Sequence, residues 1–573
     1  MLQIILFLAI FVAAIIPTGR YMFRIATGKN TLGDKAFTAV ERSFYRICRI
    51  DSEKDMDWKE YTLSLVLVNA FMVLVTFLVL LVQGVLPFNP NGIGGMSGDL
   101  SYNTVISFMT NTNLQHYAGE SGLSYLFQMI VITFMMFTSA ASGYAACTAF
   151  IRGITGQGGH KMGNFYKDLV RITIRILIPF SIVISLLLIL SGTPQTLGAN
   201  VELETIEGTE QIIAMGPVAS LESIKHLGTN GGGFLGANSS TPIENPTVFT
   251  NMLEMLSMML LPGSMVVMFG LMYEESRKER GLKTRGKIFG SEGRTVFIAM
   301  SIIFIIGLAV CVFAELSGNP VFGSLGLGDS SNMEGKEMRN GVEQSALFAT
   351  VTTSFTTGSV DSMHDSMTPL GGMIPLLHMM LNLVFGGKGV GLMNMIMYVI
   401  LTVFICGLMV GRTPEYLGRK IEGREMKLTA LAIIVHPLLI LAFSALATAT
   451  EAGLAGVTNP GFHGLSQIVY EYASSAANNG SGFEGLADGS VFWNITTGLV
   501  MFFGRYLPIV LQMAVAGSLM KKRFVNESAG TLRTDTMTFT FALVFIVYVF
   551  AALTFFPVLA LGPVAEHLSL MSL

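Results

Sequence analysis

Four short clusters of small polar residues carry the groups with which this chain could bind an ion. They read TNTN, TNGG, TTGS and NNGS, and they begin at Thr110, Thr229, Thr356 and Asn478. Backbone carbonyl oxygens in such clusters can replace the hydration shell of a dehydrated cation, as they do in potassium filters. Glycine lets the strands approach closely because it has no side chain and adopts unusual backbone dihedral angles easily. The clusters therefore predict an ion filter.

The clusters recur along the chain at a nearly constant interval. The residues at their third positions lie roughly 120 residues apart, which indicates an internal repeat; they are Thr112, Gly231, Gly358 and Gly480. A short, moderately apolar segment precedes each cluster, and one long apolar segment lies on either side. This order predicts four units of span, short re-entrant helix, filter-like strand and span. One such cluster alone is more typical of an extracellular turn, so the inference rests on the repetition.

The elements that must position these clusters are membrane spans. The chain has 573 residues, of which 51% are hydrophobic and 13% charged, whereas soluble domains carry about a quarter charged residues. Runs of about 20 apolar residues match the hydrocarbon core of a bilayer. We predict an all-α polytopic membrane protein with ten transmembrane helices, near residues 2–18, 62–86, 124–150, 172–191, 247–272, 295–314, 371–410, 428–448, 490–519 and 538–562.

Basic residues are concentrated in alternate connections between the predicted spans. Five connections hold 29 of the 35 Lys and Arg residues: 19–60, 152–171, 274–294, 411–427 and 520–536. The opposite connections contain only Lys225, Lys336 and Arg339. The positive-inside rule places the basic connections in the cytoplasm. With ten spans, both termini are then expected outside.

The spans and clusters together predict a division of the chain into six parts. The first is an extra N-terminal span with its basic loop (1–60), and the last is a final span with an outer tail (537–573). Between them, four repeats are expected around a central filter: 61–151, 172–273, 295–410 and 428–520.

One long motif in a predicted cytoplasmic connection makes the chain similar to a known family. The phrase GRTPEYLGRKIEGREMK (411–427), with the TNTN and NGGGF clusters, resembles the potassium-binding A subunits of the Kdp potassium-transporting P-type ATPases. That family belongs to a superfamily of potassium transporters built from four span-pore-span units. The resemblance covers essentially the whole chain. It implies high-affinity uptake of K⁺ as the transported ion, without an organic cofactor in this chain.

The resemblance also implies partners and a location. ATP hydrolysis would occur on a separate P-type ATPase catalytic subunit, since the D-K-T-G phosphorylation sequence of such pumps is absent here. A small single-span stabilising subunit would complete the assembly, with a very small single-span peptide as a further candidate. The complex would lie in the bacterial plasma membrane among lipids, with no nucleic acid bound. The alternative is a self-standing K⁺ channel or an ion-coupled secondary transporter of the same superfamily.

Matching the family's motifs residue by residue assigns the filter. Its K⁺-binding positions would be Thr110, Asn111, Thr112, Asn113, Asn230, Gly231, Gly232, Thr356, Thr357, Gly358, Ser359, Asn479, Gly480 and Ser481. Gln115 matches a glutamine that affects potassium selectivity in the family. Leu114 stands where the family often has Trp, and Asn382 or Leu383 stands where some members carry an acidic residue. We therefore expect no carboxylate ion site in that part of the third repeat.

Two buried cations are candidates for a gate or a cavity. The apolar stretch 371–410 is nearly twice as long as one span and contains Gly386, Gly387, Gly389 and Gly391, so we expect the helix to break there. Lys388 lies inside the break. It is either a gate element that competes with K⁺ on the inner side or a lysine that extends toward the cytoplasmic surface. Arg505, in the context FGRYLP, either lines the cavity or the path between subunits, or forms a structural ion pair.

Four histidines lie in the outer connections near the clusters: His116, His226, His364 and His463. We expect none of them to have a partner of ligand type at helical spacing. A transition-metal site, which needs three or four such ligands, is therefore not predicted. No arrangement of nucleophile and base that would indicate a membrane-embedded enzyme is found in the sequence either.

Overall fold

The computed structural model describes residues 2–157, 161–326, 331–525 and 531–572. Within these ranges, ten helices are long and apolar enough to cross a membrane: Leu2–Ala26, Trp58–Leu81, Phe127–Thr155, Phe165–Leu190, Val248–Glu279, Ser291–Gly323, Gly387–Met409, Gly423–Thr448, Val491–Met520 and Met537–Met571. They correspond in order to the ten predicted spans. The prediction of an all-α polytopic membrane protein is confirmed.

The α-helices are numbered in chain order. They are α1 (Leu2–Ala26), α2 (Asp34–Ile47), α3 (Trp58–Leu81), α4 (Gly98–Met109), α5 (Gly119–Gly122), α6 (Thr133–Thr155), α7 (Phe165–Ile172), α8 (Ile178–Leu190), α9 (Val218–Leu227), α10 (Val248–Glu279), α11 (Ser291–Leu316), α12 (Pro320–Ser324), α13 (Gly341–Ser354), α14 (Pro369–Leu381), α15 (Val390–Met409), α16 (Gly423–Thr448), α17 (Glu451–Leu454), α18 (Phe462–Ala477), α19 (Val491–Met520), α20 (Met537–Leu559) and α21 (Ala565–Met571). Short π-helical turns continue three of the spans, at Phe127–Ile132, Thr173–Leu177 and Ala560–Val564.

In the part of the chain that the structure describes, four short strands accompany the helices. Strands β1 (Val201–Glu204) and β2 (Glu210–Ile213) form an exposed antiparallel hairpin before α9. Strands β3 (Glu415–Tyr416) and β4 (Arg419–Lys420) pair within the basic phrase between α15 and α16.

The order of long helix, short helix, irregular segment and long helix occurs four times. The sets are α3–α4–α6, α8–α9–α10, α11–α13–α15 and α16–α18–α19. Helix α1 packs along α10, while α20 packs on α11 and α15. Gly19 permits the first contact, because a Cβ there would lie 2.5 Å from the Cβ of Val267, and small residues of this kind let membrane helices approach closely.

The helix break predicted within 371–410 is confirmed. Helix α14 ends at Leu381 and α15 begins at Val390, and between them Asn382, Phe385 and Lys388 all have positive φ angles. The ring of Phe385 stacks on Phe355 with centroids 4.8 Å apart. The Gly386 N–H donates to the Ser354 carbonyl oxygen at 3.0 Å. These contacts hold the unwound segment, residues 382–389, directly below the third cluster.

Candidate ion-binding site

Four short helices end at the same kind of corner. After α4, α9, α13 and α18 the chain turns through one residue in the left-handed region: Asn111, Thr229, Thr356 and Asn478. The N–H of the next residue then reaches back to a carbonyl five residues earlier, at 2.8–2.9 Å: Thr112 to Ser107, Asn230 to Lys225, Thr357 to Thr352 and Asn479 to Ser474. Each corner caps its helix and directs the following small residues away from it.

These shared corners correct the alignment of the first cluster. Thr112 occupies the position of Asn230, and Asn113 that of Gly231, one residue later than the sequence comparison placed them. The reason is that α4 continues to Met109, so Thr110 is its C-cap with helical backbone angles. The Thr110 hydroxyl bonds to Thr112 Oγ1 at 2.7 Å. We call the four stretches that begin at these corners the segments. The first segment therefore starts at Asn111, and the other three start at Thr229, Thr356 and Asn478.

Backbone oxygens from different segments converge beside Gly231. A Cβ added to this glycine would lie 2.9 Å from the Asn479 oxygen and 3.0 Å from the Thr112 oxygen, with the Thr357 oxygen nearer still. Gly358 and Gly480 face neighbouring carbonyls in the same way and have φ angles of 97° and 103°, which favour glycine. Uncharged backbone oxygens of the first, third and fourth segments thus surround a buried glycine of the second.

Polar side chains hold the segments from behind. Asn111 Nδ2 donates to the Thr229 oxygen at 2.7 Å, and Asn479 Nδ2 donates to the Thr352 oxygen at 2.9 Å. Ser481 Oγ donates to Asn479 Oδ1 at 2.6 Å. In contrast, the buried amide of Asn113 has no hydrogen-bond partner among the described residues. The Asn113 amide belongs to the first segment, so it is available to a ligand bound at that segment.

The Lys388 ammonium lies at one end of these segments. Its Nζ donates to the carbonyl oxygens of Asn478 at 2.5 Å, Asn111 at 2.9 Å and Thr356 at 3.4 Å. These are three of the four corner residues. An ammonium has three donors and no acceptor, so three carbonyls satisfy it completely. A cation of this chain thus occupies the carbonyl oxygens at that end.

Comparison with known proteins identifies the family. A family model described as potassium-transporting ATPase A subunit matches residues 5–568. The chain belongs to this family. Among its relatives, the potassium-binding subunit of the potassium-transporting ATPase of Clostridium acetobutylicum is 53% identical over 570 residues, which cover 99% of this chain and 100% of the relative.

Two further relatives carry the same name. The subunit from Staphylococcus haemolyticus is 53% identical over 569 residues and covers 99% of this chain and 100% of itself. The subunit from Geobacillus kaustophilus is 52% identical over 567 residues, which cover 99% of this chain and 98% of the relative. The similarity of this A-subunit family member to its relatives therefore extends over every span and all four segments.

In this A-subunit family member, Gln115 pairs with the glycine run of the second segment. Its Oε1 accepts from the Gly233 N–H at 2.9 Å, and its Nε2 donates to the Gly233 oxygen at 3.1 Å. Leu114 is buried in a small cluster with Ile106 and Met501. Gln115 thus fixes the backbone at Gly233, in a run of glycines that has no side chains to hold it.

Arg505 and Lys388 are neighbours, since both approach Gly143 closely. Arg505 lines a largely apolar cavity of about 660 Å³, together with Asn382, Asn478 and Gln512. Within residues 2–157, 161–326, 331–525 and 531–572 its guanidinium forms no ion pair with a carboxylate, and Nη1 has no hydrogen-bond partner. Arg505 thus lines a cavity, and its role in an ion path stays a prediction. For Lys388, an extension to the cytoplasmic surface is wrong, because the side chain is buried against the segments.

The expectation that the outer histidines lack ligand-type partners is wrong. Glu222 lies one helical turn before His226, and Glu254 from α10 approaches His226 Nε2 at 3.3 Å. His116 lies 3.4 Å from Glu471 and 3.7 Å from Asp488. The i, i+4 spacing of Glu222 and His226 was visible in the sequence, but the approach of Glu254 was not.

The environment of His116 favours its charged form. Burial lowers the pKa of His116, but Asp488 and Glu471 outweigh burial and raise the pKa to about 9. His116 Nδ1 also lies 2.7 Å from Asn494 Oδ1. His116 follows the first segment closely and contacts residues of the fourth repeat, so it connects two of the four repeats.

Proposed function

We propose that this chain is the potassium-binding and translocating subunit of an ATP-driven potassium uptake complex. The observation that carries the proposal is the convergence of uncharged backbone oxygens from three segments beside Gly231 of the second, with an ammonium already bound at one end of the segments. The relatives named as potassium-binding subunits support the same conclusion. The channel or secondary-transporter alternative is not favoured, because family and relatives are described as parts of an ATPase.

In this proposal the backbone oxygens of the four segments bind K⁺ from outside. Uncharged carbonyl dipoles suit a weakly hydrated monovalent cation, whereas divalent ions usually require carboxylates. The positions are those assigned by motif, beginning at Asn111 in the first segment and extended to Thr229 and Asn478. Gln115 supports the second segment.

We assign Lys388 to the gate. K⁺ that leaves the innermost carbonyls must pass the position of the ammonium, and two adjacent positive charges repel strongly in a buried site. The glycines of the unwound segment would allow Lys388 to move aside. Arg505 would then present a second positive charge in the cavity below.

The wider assembly follows from the same proposal. The P-type ATPase catalytic subunit, the small single-span subunit and, as a further candidate, a very small single-span peptide would surround this chain in the bacterial plasma membrane. The basic connections would face the cytoplasm, with both termini outside. The repeats 61–151, 172–273, 295–410 and 428–520 would form one filter together.

ATP hydrolysis tests this function. The tagged chain would be purified gently from its native membranes and assayed with and without micromolar K⁺. We expect vanadate-sensitive hydrolysis that K⁺ stimulates and that tracks a larger co-purified membrane protein. A chain that purifies without ATPase activity, yet passes K⁺ unaided in liposomes, would contradict the proposal.

A further inference from the structure

A buried ion pair closes the loop that contains the second segment. Lys225, on α9, bonds to Glu244 Oε2 at 2.8 Å and to Glu222 Oε2 at 2.7 Å. All three side chains are fully buried. No charged residue lies between Lys225 and Glu244 in the sequence, and the loop they close includes Gly231–Gly233. The loop that contains three consecutive glycines is therefore fastened at its two ends.

Lys225 also bonds to Asn238, whose side chain holds the Gly231 carbonyl of the second segment. Its Nζ lies 2.5 Å from Asn238 Oδ1, and Asn238 Nδ2 donates to the Gly231 oxygen at 2.9 Å. An ammonium can only donate hydrogen bonds, so the amide atom that faces Lys225 must be the oxygen. The amide nitrogen is thereby turned toward Gly231. Ser359 of the third segment also donates to Asn238 Oδ1, at 3.2 Å.

We propose that Lys225 is a positioning residue that fixes the Gly231 carbonyl and thereby contributes to the preference for K⁺ over Na⁺. The inference rests on the proposed function. Without Lys225, the Asn238 oxygen keeps the Ser239 N–H at 2.9 Å and the Ser359 hydroxyl at 3.2 Å as donors but loses its charged one, so the Asn238 amide and the Gly231 carbonyl that it holds are oriented less firmly. The three glycines offer no other side chain to resist a change in carbonyl direction. A looser set of oxygens can contract around the smaller Na⁺ ion.

A purely structural role for Lys225 is the competing explanation. Removal of one partner from a buried ion pair destabilises strongly because a charge is left unpaired. The chain offers a matched control in Lys336 and Glu315, which form a buried ion pair at 2.7 Å. Lys336 bonds to Glu334 and Glu315 and to none of the four segments. Loss of this pair affects stability without touching a segment carbonyl.

The test compares K⁺ and Na⁺ affinity in the purified full-length chain. Thermal unfolding would be followed in detergent with KCl or NaCl, at ionic strength balanced with choline chloride, because a bound ion raises Tm according to its affinity. The variants are K225M/E244Q, which preserves the net formal charge of the trio, N238D, which removes the donor to Gly231, and K336M/E315Q as the control.

We expect K⁺ to stabilise the wild-type chain more than Na⁺. K225M/E244Q and N238D should each lower the ratio of K⁺ to Na⁺ affinity about tenfold, while K336M/E315Q should lower Tm without salt and keep the ratio. Unchanged ratios in the first two variants would overturn the inference. If K225M/E244Q is not monodisperse, the affinity ratio of N238D alone tests the inference, because this variant keeps Lys225 and its carboxylates. A wild-type chain that K⁺ does not stabilise would instead contradict the proposed function.

Discussion

The Lys388 ammonium lies 2.5 Å from the carbonyl oxygen of Asn478, at the end of four segments that present similar oxygens. The segments therefore bind a cation already, and that cation belongs to the chain. Lys388 is positioned by the unwound segment between α14 and α15, in which the neighbouring Gly387 packs closely against the backbone oxygens of Phe355 and Thr356. The contact connects the proposed filter to the segment that we assign to the gate.

Replacement of Lys388 by Met should open the inner side to ions. Without the ammonium, the carbonyls of Asn111, Thr356 and Asn478 lose their donor and become free to bind K⁺. We expect passive K⁺ flux in proteoliposomes of the chain with its co-purified subunits, measured without ATP, to rise about tenfold or more, because the charge repulsion is removed.

The control for this variant is Lys336→Met, which also removes a buried lysine but lies away from the segments. It should leave passive flux unchanged. A Lys388→Met chain whose flux equals that of the wild type would show that Lys388 is no barrier to K⁺.

Gly231→Ala should abolish high-affinity K⁺ uptake. The added Cβ would lie within 3.0 Å of the Thr112 and Asn479 oxygens and closer to that of Thr357, so the segments must separate. Gly94→Ala is the matched control, because a Cβ at Gly94 meets nothing within 4 Å. Uptake as a function of K⁺ concentration measures the effect. Wild-type K⁺ affinity in the Gly231→Ala chain would remove this glycine from the filter.

Gln115→Arg should weaken the preference for K⁺. The change removes both bonds to Gly233 and adds a fixed cation beside the segments, which repels K⁺. Competition of K⁺ with Rb⁺ in uptake would be measured, and we expect K⁺ affinity to fall about tenfold. Gln195→Arg adds the same charge at an exposed outer position and should change neither quantity. Unaltered discrimination in Gln115→Arg would count against the pairing with Gly233.

Alkaline pH should weaken the ion pairs of His463. His463 lies between Asp365 at 2.9 Å and Glu566 at 2.8 Å. Burial lowers the pKa of His463, but these two carboxylates outweigh burial and raise it to about 10. The stabilisation is therefore complete below the pKa of the unfolded chain, about 6.5, and is lost as pH rises through about 10. We expect Tm to fall by on the order of 5 °C across this range.

The comparison with His463→Gln isolates this contribution. That variant should be less stable at neutral pH and should lack the corresponding part of the alkaline decrease. His567→Gln, a change in the neighbouring part of α21, should reproduce the wild-type profile. If His463→Gln and the wild type show parallel Tm profiles from pH 6 to 11, the ion pairs of His463 do not stabilise the fold.

The spans, the short helices and the break near Lys388 could be predicted from sequence because each has a local cause. Apolar runs of sufficient length form spans, and clustered glycines interrupt a helix. The recurrence of small polar residues also indicated which connections meet. These features depend on neighbours along the chain, so one sequence is enough to find them.

The register of the first segment and the support behind the second could not be predicted in this way. Residue types alone do not show that α4 continues to Met109 and places Thr110 in its last turn. The motif match does not include Thr229 and Asn478, and that they form the same corners as Asn111 and Thr356 is visible only in the folded backbone. The contact of Lys225 with Asn238 joins residues whose proximity arises only when the loop closes.

The most direct measurement is the location of a heavy analogue of K⁺ in this chain. Crystals of the complex grown with Tl⁺ in place of K⁺ would be examined by anomalous diffraction. We predict a peak within about 3 Å of the backbone oxygens of Thr112, Asn230, Thr357 and Asn479, weakened when K⁺ is added back in excess. Anomalous peaks elsewhere in the chain, with none among these four oxygens, would contradict the account.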